Sequence, residues 1–216
     1  PRMALPSIGL HPWNFPSRST NWLERLTSIV TRDPGRVFIG ECGLDRWMNN
    51  PDLEGQQRAF ISQLSLATEY NLPISIHCLK AWGPLMDTLT TNSRPDRGFL
   101  LHSYGGSPEL VPELVKLGAY FSFSGYFLRE NKEKTHEAFR RVPSDRIMVE
   151  TDSPDMLLPE NYRKHALKHT GNRDLNHPAN LSGVVEGLAK VIKIEESRLR
   201  TLLAKNFYSF FPVEHS

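Results

Sequence analysis

The chain has 216 residues, of which 39% are hydrophobic and 23% charged, and its formal net charge is +2. That allows one large domain or two small ones around an ordinary core, and the charge is too small to argue for or against a nucleic-acid partner. No apolar stretch approaches the roughly 18 residues of a membrane span, there is no signal-peptide core, and Cys42 and Cys78 make no disulfide framework, so a cytoplasmic setting without a membrane partner is expected.

The first apolar run is ALPSIGL (4–10), read as a strand that stops at His11 in GLHPW. A helix is expected near 19–31. The second run, RVFIGEC (36–42), carries Glu41 near its end. Residues 55–70 follow as a helix, with Phe60, Leu64 and Ala67 at helical spacing and Ile61 alongside. The third run, LPISIHC (72–78), holds His77, and a helix is expected near 80–92. GFLLHS (98–103) holds His102. Residues 107–118 are punctuated as a helix: Ser107 as N-cap, Pro108 at N1, Glu109 in the first turn and Gly118 as C-cap, with Pro112 within the first turns. AYFSFSG (119–125), a helix near 131–141, the run RIMVET (146–151) stopping at Asp152, and helices near 179–193 and 195–208 complete the order.

No repeat, low-complexity tract or Gly/Ser linker interrupts this order, so residues 1–216 read as a single domain. The runs are short, rich in Ile, Val, Leu and Phe, and bounded by Gly or Pro, as expected for strands covered on both faces. Their alternation with amphipathic segments is that of βα units around a parallel sheet. The expected fold class is α/β, a (β/α) TIM-type barrel. Such a barrel has eight strands and about 250 residues, more than are read here, and an open doubly wound sheet is the alternative.

An apolar run that finishes on Glu150, Thr151 and Asp152 needs a reason, because carboxylates are rarely buried unless paired or bound to a cation. Five of the six runs carry a metal-capable side chain at or near their ends: His11, Glu41, His77, His102 and Asp152. In a barrel all these ends open on one face, where catalytic residues sit. Mixed histidine and carboxylate ligands suit Zn or Mn, and Mg less well. One strand-end histidine is more often a hydrogen-bonded loop residue, and for His11 the two readings weigh equally. The joint pattern of Glu41, His77, His102 and Asp152 is harder to assign to coincidence. Side chains alternate across a strand, so Cys42 and Cys78 point away from Glu41 and His77 and are expected to be buried, inert thiols.

Together GLHPW, IGECGLDR, QQRAFISQLSLATEYNLPISIHC, LLHSYGGSPEL, YFSFSGYF and MVETDSPDMLLP resemble the TatD family of metal-dependent hydrolases. They stand in the family's order and at its separations, 36 residues from Glu41 to His77, 25 more to His102 and 50 more to Asp152, across residues 8–211. GNRDLNHPANL (171–181) is similar to the family's Arg-Asn-x-Pro stretch with a small insertion. The resemblance implies an amidohydrolase-type TIM barrel, a deoxyribonuclease-like enzyme acting on phosphodiester bonds. It also implies a pair of divalent metal ions (Zn, Mn or Mg) per full-length chain, bridged by Glu41. By the same likeness His77 and His102 ligate one ion, and Asp152 is a ligand that also handles the proton, which makes Glu41 and Asp152 the catalytic carboxylates.

One feature departs from the family. Its members begin with a strand ending in His-x-His, and no His-x-His occurs in these residues, which open PRMALP without a Met. The expectation is that the first barrel strand and the segment after it, about forty residues, lie outside this sequence.

The leading expectation is a nuclease that cleaves a phosphodiester of single-stranded DNA with metal-activated water. Substrate contacts are expected from His11, from Arg46 in GLDR, and from Arg173 in the basic run NYRKHALKHTGNR (161–173), which also carries Arg163, Lys164 and Lys168. A solvated surface loop describes that run equally well. Trp13, Trp47 and Trp82 each follow a strand-end motif, where an indole can stack on a base, although rim packing accounts for them as readily. Two alternatives stand beside this reading: an amidohydrolase acting on a C–N bond of a small molecule, and a metal-impaired barrel serving as a binding subunit.

Overall fold

The computed structural model describes residues 4–32, 35–167 and 174–212. The chain divides into two units, one of residues 1–102, 116–119 and 208–216, the other of residues 103–115 and 120–207.

The first unit begins with strand β1 (Ser7–Ile8) and helix α1 (Trp22–Arg32), followed by β2 (Phe38–Asp45), α2 (Leu53–Glu69), β3 (Ile74–Leu79), α3 (Trp82–Thr91) and β4 (Phe99–Leu101). Each strand is parallel to the next, with Ser7 opposite Phe38, Gly43 opposite His77, and Ile76 opposite Leu101. Strand order therefore follows chain order. A doubly wound sheet reverses its order at a switch point, whereas a (β/α) barrel does not, so this part of the sheet has the barrel arrangement.

The predicted apolar face of α2 is the observed one, for Phe60, Leu64 and Ala67 are fully buried. Asp52 caps the helix by accepting from the Gly55 backbone N–H at 2.8 Å. Strand β2 is buried along its whole length except at Glu41, which is half-buried. The register explains that exception. Between Ile39 and Cys42, three steps along β2 match the two steps from Ile74 to Ile76 on β3. The extra residue makes a bulge, and a bulge re-aims the side chain it carries.

In the second unit, β5 (Ala119–Ser124) and β6 (Ile147–Glu150) pair in parallel, with Phe121 opposite Ile147 and Ser124 opposite Glu150. Helix α4 (Val111–Lys116) up to Val115, helices α5 (Glu133–Arg141) and α6 (Leu181–Ile192), and most of α7 (Glu196–Phe210) belong to it. Edge-to-face rings fill its core: Tyr104 on Phe121 and Phe123 on Phe139, each with centroids 4.9 Å apart. Asn206 of α7, itself buried, donates to the Ser144 and Ile147 carbonyls at 2.8 and 2.7 Å and so fixes the start of β6.

All six expected strands are present. The helix expected over 107–118 is shorter and begins at Val111, with Ser107–Leu110 forming a turn instead. Pro112 is the reason: it has no N–H to give to residue 108, so the helical ladder cannot extend upstream of it. A short antiparallel pair, β7 (Ala166–Leu167) with β8 (Leu175–Asn176), occupies part of what reads from sequence as a loop.

Gly43 shows how tightly β2 lies on β3. Its φ is +136°, and a Cβ placed there would stand 2.0 Å from the His77 carbonyl oxygen. Substitution Gly43→Ala is therefore expected to destabilise the protein by about 2–4 kcal/mol, measured as a lowered urea midpoint; an unchanged midpoint would mean that β2 and β3 are farther apart than described.

Candidate metal centre

Glu41, lifted by the bulge, is the meeting point of three imidazoles in the first unit. Its Oε2 lies 3.9 Å from His11 Nε2, 3.9 Å from His77 Nδ1 and 3.6 Å from His102 Nε2. His11, Glu41 and His77 each offer a ligand atom within 4.8 Å of the others. These separations are longer than a hydrogen bond yet short enough for two donors to share one ion at about 2.1 Å each. The donor set, imidazole nitrogen with carboxylate oxygen, is the one that Zn or Mn takes. The residues present thus fit a divalent metal.

The hydrogen bonds distinguish the histidines. Asp45, the last residue of β2, is only 1% exposed, and its carboxylate is occupied by donors. The Trp13 indole N–H donates to Oδ2 at 2.7 Å and the Trp47 backbone N–H to Oδ1 at 2.7 Å. His77 Nε2 stands 3.0 Å from Oδ2. Against an acceptor carboxylate that nitrogen must carry the proton, which leaves the Nδ1 lone pair facing Glu41. A carboxylate behind a histidine in this way fixes the tautomer that ligates. His11 has the opposite polarity. Its Nδ1 accepts from the Trp13 backbone N–H at 3.2 Å, so the neutral ring carries its proton on Nε2 and presents a donor, not a lone pair, to Glu41.

Two buried glutamines of α2, seven residues and hence about two turns apart, position these groups. Gln56 Oε1 accepts from the Asp45 backbone N–H at 2.8 Å while its Nε2 donates to the Asp45 carbonyl at 3.2 Å. Gln63 treats Leu10, the neighbour of His11, in the same manner, at 2.7 and 3.3 Å. Sequence reasoning missed Asp45, Gln56 and Gln63. The available signal was a carboxylate closing an otherwise buried strand, opposite two amides on the buried face of the next helix.

In the second unit, Asp152 follows β6 with φ +54°, a left-handed conformation that aspartate tolerates. Asn176 clasps its loop. The Asn176 side chain donates to the Thr151 and Met156 carbonyls at 2.8 and 3.3 Å, its N–H donates to the Pro154 carbonyl at 2.8 Å, and its carbonyl accepts from Ser153 Oγ at 2.7 Å. Asn180 in turn donates to Asn176 Oδ1 at 3.1 Å. These are the asparagines of the NHPAN stretch.

Of the expected substrate contacts, Arg46 is exposed just beyond Asp45, held by its N–H on the Leu79 carbonyl at 2.9 Å. Arg163 is engaged by Asp174 and Glu160, each at 3.2 Å, and Lys164 by Glu186 at 2.9 Å, so neither is an uncommitted cation. Arg173 and Lys168 lie outside the described residues. Of the two thiols expected to be buried, Cys42 is, whereas Cys78 is partly exposed. Cys42 is fully buried, with Sγ 3.7 Å from the Ser75 carbonyl, and burial pushes its pKa well up; burial likewise pushes that of Cys78 up to about 12.

Residues 1–212 match the family model described as TatD related DNase. The metal-dependent hydrolase YcfH of Escherichia coli K12 is 31% identical over 210 residues, spanning 97% of this chain and 74% of the relative. The 3'-5' ssDNA/RNA exonuclease TatD of Escherichia fergusonii is 31% identical over 188 residues, 85% of this chain and 68% of the relative. Among solved structures, YjjV, the TatD homologue of E. coli K12, superposes with a TM-score of 0.85 at 28% identity, covering 96% of this chain and 76% of that one. The TIM-type barrel class expected from the sequence is the fold of these relatives.

Two outcomes are expected from this geometry. Asp45→Asn, which removes the acceptor behind His77, should weaken divalent-metal binding about 10–100-fold in a competition titration against a chelating indicator, with the circular dichroism spectrum retained. Neither cysteine should react with Ellman's reagent at pH 8 until the protein is denatured, since the thiolate is the reactive form.

Proposed function

The chain belongs to the TatD related DNase family and is a metal-dependent hydrolase, and from that premise we propose that it cleaves phosphodiester bonds of single-stranded nucleic acid. The observation that carries this reading is the convergence of three imidazole nitrogens on one oxygen of Glu41. Glu41, His77 and His102 are the residues to hold an ion there, with Asp152 joining them as the family resemblance implies. A bound divalent ion lowers the pKa of water towards neutrality and offsets charge on phosphoryl oxygens.

The chain's own residues divide the remaining work. His77 presents its Nδ1 lone pair because Asp45 occupies Nε2. His11 offers Nε2–H as a hydrogen-bond donor to a non-bridging phosphoryl oxygen. Arg46, exposed beside Asp45, supplies a planar pair of N–H donors suited to a second one. Asp152 accepts the proton of the attacking water and returns it to the leaving oxygen, a role that general-base catalysis assigns to a positioned carboxylate. The name of the TatD exonuclease relative supports the choice of single-stranded nucleic acid as substrate.

Asp152→Asn is expected to lower kcat about 10²–10⁴-fold on an end-labelled single-stranded oligonucleotide with Mn²⁺, leaving the thermal midpoint unchanged. Glu41→Gln should also lose metal. An active, fully folded Asp152→Asn variant would refute the proton role. Turnover of an acylated amine or cyclic amide, with no oligonucleotide cleavage, would transfer the same residues to C–N hydrolysis.

A further inference from the structure

The two most exposed large apolar side chains among the described residues are Trp13 and Trp47, at 62% and 66%. Both flank the centre described above, and both are tied to the same buried carboxylate. The Trp13 indole is held edge-on to His11, with ring centroids 4.9 Å apart, and lies 6.1 Å from the His77 ring. Its N–H is fixed on Asp45 Oδ2, while the Trp47 backbone N–H is fixed on Oδ1. An indole left in water buries little and contributes little to the core, yet a buried carboxylate constrains both residues. Lys80 stands with its ammonium over one face of the Trp47 ring, 4.3 Å from the centroid, a cation–π contact that puts a positive charge against the platform and leaves the opposite face for a base.

We propose that Trp13 and Trp47 form a stacking platform for the bases of single-stranded nucleic acid beside Glu41 and His77, with Lys80 contacting the backbone phosphate. This rests on the nuclease reading and specifies how its substrate is held. Every base has a π-face, so such a platform is tolerant of sequence. In a duplex those faces are covered by neighbouring base pairs, so the platform selects single strands. Because the Trp13 indole and the Trp47 backbone are already held on Asp45, less ordering entropy is lost on binding than for two unrestrained residues.

Trp47 is the informative position, since only its backbone touches Asp45 and its ring can be removed without disturbing His77. With the full chain loaded with Mn²⁺, Trp47→Ala is expected to raise KM for a single-stranded oligonucleotide about tenfold, and Trp47→Phe to restore most of the loss. Neither should change kcat/KM for an abasic oligonucleotide of the same length, which keeps the phosphates but has no base to stack. A Trp47→Ala enzyme that cleaves the oligonucleotide with wild-type KM overturns the platform alone. A wild type that hydrolyses bis(p-nitrophenyl) phosphate but neither binds nor cleaves oligonucleotides overturns the nuclease reading and the platform together.

Discussion

Burying a carboxylate is costly unless donors satisfy it, and Asp45 is the carboxylate on which the first unit is organised. An indole, a backbone amide and an imidazole meet its two oxygens. Each donor belongs to a different part of the site: Trp13 to the turn after β1, Trp47 to the loop after β2, His77 to β3. Satisfying one buried charge therefore brings three segments into one arrangement. The same bond to His77 decides which of its nitrogens carries a lone pair, so local electrostatics and ligand chemistry have one cause.

The bulge in β2 makes the complementary adjustment. A regular strand of this length, packed on both sides, would bury every side chain. The additional residue lets Glu41 reach the histidines while Cys42 remains fully buried. Gly43, with its positive φ, allows β3 to approach closely enough that His77 lies opposite.

Much of this was legible from residue order. The six strands were visible because short apolar runs closed by Gly or Pro are what doubly covered strands require, and the buried face of α2 was visible in its spacing. Glu41, His77 and His102 stood out because ionisable residues at the ends of such runs are unusual. Asp45 did not, because a carboxylate after an apolar run reads as the strand surfacing; its burial depends on donors contributed by residues 13, 47 and 77, a non-local fact. The helix around Pro112 begins later than its capping signals imply, because the proline lacks the N–H that would extend it upstream. In the second unit, the basic appearance of 161–173 concealed that Arg163 and Lys164 are matched by Glu160, Asp174 and Glu186, all three of which lie outside that segment.

The paired amides of α2 carry one more implication. Gln56 and Gln63 each grip a backbone through both an oxygen and a nitrogen, at two points separated by a fixed length of rigid rod. Sliding the rod by a single turn would break both grips at once, so α2 works as a gauge that sets the spacing between the ends of two neighbouring strands. Insertions or deletions should consequently be tolerated in the connections at either end of this helix and not between its glutamines, which makes those connections the natural places to lengthen the rim without detuning what it surrounds.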